Sequence, residues 1–172
     1  ADGTNLVTGK IGGFYSSNGD GRGANLSITA ATDWLSVTYK GSTSQQNNYT
    51  AGGNFKPPSS VSNPNTINGT VSIAQNEVAS TAYESTNQSV ALALKQDKHT
   101  AQITYSWQDI PYELYPNQRM DMTGNTEERY NLRYWGGYDW GKLEAQAYYE
   151  NLNHQMQFGP DKQYWYSNGT LP

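Results

Sequence analysis

Residues 154 to 159 read HQMQFG and place His154 and Met156 two positions apart in a chain with two histidines and three methionines. An imidazole nitrogen beside a thioether sulfur suits soft or borderline metal ions, copper before others. Two ligands alone do not make a selective site, and the same spacing serves two large side chains packing at the base of a loop. Residues two apart in a strand share a face, so the choice depends on where the preceding strand points. A second methionine group, RMDM, puts Met120 and Met122 on one side if extended, where they could supply thioethers or serve a structural role. Tyr112, Tyr115 and Trp165 fall in polar segments where they could stack on an aromatic chelate such as a siderophore, or pack as loop and girdle aromatics. His99 sits in a short turn, where a solvated turn residue is expected.

No catalytic constellation accompanies these residues. Nucleophilic catalysis needs a histidine within reach of a nucleophile and a carboxylate, and neither histidine has a recognisable motif around it. Glu144 and Glu150 share a strand face but stand about 20 Å apart at ~3.3 Å per residue, too far for a glycosidase pair on that strand alone. The glycine cluster GDGRG at 19 to 23 lacks the Lys-Ser/Thr ending and following helix of a phosphate loop. The expectation is a protein that is not an enzyme and requires no cofactor; a soft metal ion such as copper would be its substrate.

Composition narrows the class. The chain has 172 residues, 35% hydrophobic and 15% charged, with a formal net charge of -4 and 13% aromatics led by 14 Tyr and 5 Trp. A mean hydropathy of -0.83 is low for a packed core, yet disordered chains are poor in aromatics, so disorder does not explain the polarity. No basic stripe is available for nucleic acid. There is no cysteine, hence no disulfide framework and no thiolate metal site. A membrane helix needs about 18 consecutive apolar residues, which are missing, but a membrane strand needs only about 9 to 11 with one apolar face. The opening ADGTNL is not a signal peptide; a mature N-terminus or an internal cut would look the same.

The elements that must position His154 and Met156 are strands. Period-two alternation is plentiful and helical periodicity nearly absent. In HTAQITYSWQD, Ala101, Ile103, Tyr105 and Trp107 oppose Thr100, Gln102, Thr104, Ser106 and Gln108. ANLSITA, LSVTYKG, QSVALALK, RYNLRYWG and KLEAQAYYE split the same way, and LVTGKIGGFYSS adds a glycine-rich strand. Short turns are expected at ATDW (31 to 34), QDKH (96 to 99) and YDWG (138 to 141), and long polar links near 46–84, 110–127 and 155–172. Such a chain is an all-β antiparallel meander of about six or seven strands. In a soluble barrel its apolar face points inward; in an outer-membrane barrel that face meets lipid and the polar face lines a wet lumen. Tyr and Trp at strand ends resemble an interfacial girdle, and Arg129, Arg133, Glu144 and Glu150 on the other face suit a lumen, so the transmembrane β-barrel is preferred.

YPNQRMDMTGNTEERYNLRYWGGYDWGKLEAQAYYENLNHQMQFGPDK resembles the barrel of the TonB-dependent outer-membrane receptors. In that family a RMDMT.N loop end leads to a descending strand, a Y.G.FDWG periplasmic turn, an ascending L.AQ.Y strand and an H.M..G element. The likeness runs through residues 105 to 160, and SITAATDWLSVTYKGSTSQQNNYTAGGNFK is similar to the earliest barrel strands of the family. It implies a bacterial outer-membrane location, lipid as surroundings, a TonB-type energy-coupling protein acting through a plug domain, and a metal or metal-chelate substrate. Copper receptors of the family use a His-x-Met pair on the barrel, which His154 and Met156 match. The family's plug and most of a barrel of about 22 strands are missing, and SNGTLP is not a terminal aromatic strand. Residues 1–172 are therefore expected to be the N-terminal part of the barrel domain, a fragment of a larger plugged barrel. A soluble all-β ligand-binding module and a small complete barrel with an adhesin or structural role are the alternatives.

Overall fold

The computed structural model describes residues 5–62 and 70–167. The described residues form eleven strands and a helix: β1 Leu6–Ser16, β2 Gly21–Ala31, β3 Leu35–Gln46, β4 Tyr49–Thr50, β5 Ser60–Ser62, β6 Thr70–Ser72, β7 Glu77–Val78, β8 Tyr83–Gln96, β9 His99–Glu113, β10 Asp121–Tyr138, β11 Gly141–Gln157 and α1 Pro160–Ser167. The seven long strands are those that the alternation predicts. They form one antiparallel meander in the order β1-β2-β3-β8-β9-β10-β11.

Register explains why the alternation matters. Directly opposed residues in an antiparallel ladder lie on the same face. The ladders align Ile28, Tyr39, Val90, Tyr105, Tyr130 and Tyr149 in one row and Ala30, Val37, Leu92, Ile103, Leu132 and Ala147 in the next. Each strand thus delivers its apolar residues to one continuous belt. Tyr105 and Tyr130 tilt together with centroids 4.9 Å apart, and Tyr130 and Tyr149 at 6.4 Å. The opposite face carries Lys10, Ser27, Lys40, Ser89, Ser106, Arg129 and Glu150 in a single row.

Among the described residues nothing covers the belt. Among the described residues only Val61, Ile73 and Met122 are buried hydrophobics, and none of them is in the belt. Every residue of β11 from Gly141 to Gln155 is exposed.

The strands are joined at one end by the short turns expected. Thr32 closes the first by accepting hydrogen bonds from the amides of Trp34 and Leu35. Around the last two, His99 Nδ1 and the Tyr134 hydroxyl lie 2.7 Å apart, the Tyr134 and Tyr138 hydroxyls 2.6 Å, and Tyr138 stacks on Trp140. His99 is therefore a half-buried member of an aromatic cluster, not the solvated turn residue its sequence position suggested; its strand partner is Gly136, whose missing side chain lets the tyrosines close over it.

The opposite end differs from expectation in extent. β9 continues to Glu113 and β10 begins at Asp121, so the link expected over 110–127 shrinks to 114–120. In the segment 46–84 two small two-stranded antiparallel sheets form among the described residues, β4 with β7 and β5 with β6. β11 reaches Gln157, and α1 occupies part of what was expected as the loop 155–172.

Candidate functional site

The seventeen residues of β11 run without a register break on their own side, so the parity set by Glu150 carries through to the loop end. Glu150 pairs with Arg129 on the polar face, the Arg129 Nε donating to Glu150 Oε2 at 3.2 Å, with Glu127 beside it. His154 and Met156 consequently project on that polar face, as the alternation requires. His154 is exposed and Met156 half-buried.

The irregularity lies in the neighbouring strand. Between Met122 and Gly124 the β10–β11 register shifts, leaving Thr123 as the extra residue. A bulge of one residue flips every side chain beyond it to the other face. It sets Met122 directly opposite Met156, while Asn125 faces His154. Met122 is buried at 3% exposure, its sulfur 4.0 Å from the Tyr115 hydroxyl. Its neighbour Met120 lies in the 114–120 link, outside the ladder.

A line of amides supports the histidine. The Asn87 Oδ1 accepts from Gln108 Nε2 at 2.6 Å, the Gln108 Oε1 accepts from Asn125 Nδ2 at 3.1 Å, and the Asn125 Oδ1 lies 2.9 Å from His154 Nδ1. These four side chains come from β8, β9, β10 and β11, and Asn125 is itself buried. Farther along the polar face is a hollow of about 450 Å³ lined by Ser27, Lys40, Asn87, Ser106, Gln108 and Arg129 among others.

Beside the site the loops are tied by a buried ion pair. Lys162 of α1 lies 3.4 Å from Asp121 Oδ1 and also donates to the Tyr115 carbonyl. Asp121 further accepts from the Ser80 hydroxyl at 2.9 Å and from the Tyr115 amide at 3.0 Å. Tyr115 thus touches both this ion pair and Met122, three residues from the strand-borne Tyr112. Burial raises the phenol pKa of Tyr115, with the Glu113 carboxylate adding to it. Trp165 falls in α1, and its side chain lies outside the described residues.

Tyr112 and Tyr115 therefore sit near His154 and Met156 in the fold, at the same end of the sheet. Sequence reasoning missed Asn125 and the pairing of Met122. The signal for either is the bulge at Thr123, which alternation alone does not reveal. Among the described residues no group of three or more His, Asp or Glu side chains could hold a metal ion.

No protein-family model matches the sequence, and no curated protein matches it. The structure does match solved structures, among them one described as "Copper transporter OprC", with a TM-score of 0.63 at 20% identity. The match covers 88% of this chain and 20% of that one. The chain thus has the fold of a segment of that structure, an all-β antiparallel meander.

Proposed function

We propose that this chain is part of the barrel wall of an outer-membrane TonB-dependent receptor that takes up a metal ion or metal chelate, with copper the first candidate. The observation that carries this reading is the belt of uncovered apolar side chains on one face of a sheet whose other face is polar. A soluble binding module would bury that belt in a core, whereas the buried hydrophobics among the described residues, Val61, Ile73 and Met122, lie outside it. In a bilayer the belt meets lipid and the polar face meets water.

The belt also drifts. It is centred on Tyr134 in β10, whereas in β2 it runs from Ala24 to Ala30, with its midpoint at the level that the ladders align with Arg129. A drift of about one residue per strand, at ~3.3 Å along and ~4.8 Å across, corresponds to a tilt of about 35°. Barrel strands tilt by about this much against the membrane normal. β1 and β11 each have one neighbour in the sheet, and lipid does not tolerate open edges. Further strands must therefore close the wall.

Support for a metal cargo is more local. His154 and Met156 project on the polar face at the end away from the tight turns, and the transporter with the similar barrel is described as carrying copper. Uptake would draw energy from a TonB-type partner through a plug seated against the polar face. Tyr112, Tyr115 and Trp165 would contact the cargo or its organic chelator near the mouth.

The test is copper accumulation by cells making the complete receptor, against cells lacking it. Accumulation should rise with the receptor and collapse when the proton gradient is dissipated. Equal accumulation in both strains would remove the copper reading. Recovery of the receptor in the soluble fraction would remove the membrane reading.

A further inference from the structure

We infer that Met122 is a third metal donor beside His154 and Met156, and that Asn125 is the positioning residue that fixes the histidine tautomer. This rests on the soft-metal reading above and specifies its coordination. The ladder puts Met122 straight across from Met156, and side chains so paired have Cβ atoms about 5 Å apart. His154 stands two residues along β11 from Met156, about 6.6 Å at the strand rise. Three donors from two strands then face one small volume. The bulge at Thr123 creates this arrangement, because without it Met122 would point to the other side. Methionine is unbranched with three rotatable bonds, so its thioether adapts to a partner without movement of the strand.

The amide line decides which histidine nitrogen is available. Asn125 donates its Nδ2 to Gln108, so the atom it offers His154 is Oδ1, an acceptor. The Nδ1 of His154 must then carry the proton. Its Nε2 is left with a lone pair toward the polar face, as a metal-binding imidazole requires. Two thioethers and a neutral imidazole favour a monovalent soft ion, Cu(I) or its analogue Ag(I), over Zn(II) or Fe(III).

The experiment uses the purified full-length receptor, loaded anaerobically with Cu(I) alone against a competing chelator. X-ray absorption should show two sulfur scatterers and one nitrogen from this wall. Met122→Leu, which nearly conserves volume, should remove one sulfur and weaken binding about tenfold or more. Asn125→Leu should weaken binding about tenfold with the sulfur count intact, and Asn125→Asp, still an acceptor, should restore it. Should Met122→Leu fail to fold, selenomethionine-labelled receptor with Met156→Leu reports whether a Cu–Se vector survives from Met122. Copper bound as tightly by Met122→Leu as by the natural receptor, with an unchanged sulfur count, would overturn the assignment of Met122. Equal binding by Asn125→Leu would overturn that of Asn125. If the unmodified receptor takes up no Cu(I) at all, the soft-metal reading itself fails, an outcome distinct from both.

Discussion

Asp121 shows how much one side chain organises at the loop end. Its side chain and that of Lys162 are 7% and 3% exposed, and Asp121 also holds Ser80 and the Tyr115 amide. Removing one partner of a buried pair strands the other charge, at about 3–5 kcal/mol. Asp121→Ala should therefore lower the denaturant midpoint and expose the 114–120 link to protease. The double variant Asp121→Leu with Lys162→Met should regain much of the loss, because an apolar pair of similar volume needs no compensation. A double variant as unstable as the single one would mean that the contacts of Asp121 to Ser80 and Tyr115, rather than the ion pair, hold the loops. Tyr115 stands to move with them, and with it the contact to Met122.

Parity along β10 makes a prediction that belongs to the strand as a whole. Leu132 lies in the middle of the belt, between Ile103 and Ala147, whereas Asn131 faces the other way beside Thr104 and Tyr148. If the belt meets lipid, Leu132→Arg should cost about 2–4 kcal/mol near the bilayer midplane and sharply reduce the folded fraction in vesicles. Asn131→Arg, one residue away, should leave assembly nearly unchanged because its side chain enters water. Equal effects would show that the two faces meet the same surroundings. The turn-end cluster follows the same logic, since Tyr134 and Tyr138 close over Gly136 on the belt side and place their hydroxyls where an interface would lie.

At the scale of the whole molecule the sheet is a single layer with two unpaired edges, and its behaviour should follow from that. In buffer without detergent the 172-residue chain should aggregate through its belt and edges, whereas detergent should keep it dispersed; light scattering distinguishes the two. A stable monomer in plain buffer would require the belt to be covered and would favour a soluble binding module. The long strands and the tight turns at 31–34, 96–99 and 138–141 were legible in the sequence, because a half-apolar strand must alternate and tight turns need residues such as Asp and Gly; the turn between β1 and β2 was not read. The face of His154 and Met156 was legible for the same reason, given an unbroken β11. Less was legible at the loop end, where strands outlast their apolar pattern and Asp121, Ser80 and Lys162 meet from distant segments. The sequence by itself determined which residues share a face within each strand, since alternation is a local property of the backbone. Only the tertiary structure decided that Met122 faces Met156 and that Asn125 holds His154, because a bulge is set by the pairing of two strands, and one extra residue there reverses what local periodicity implies.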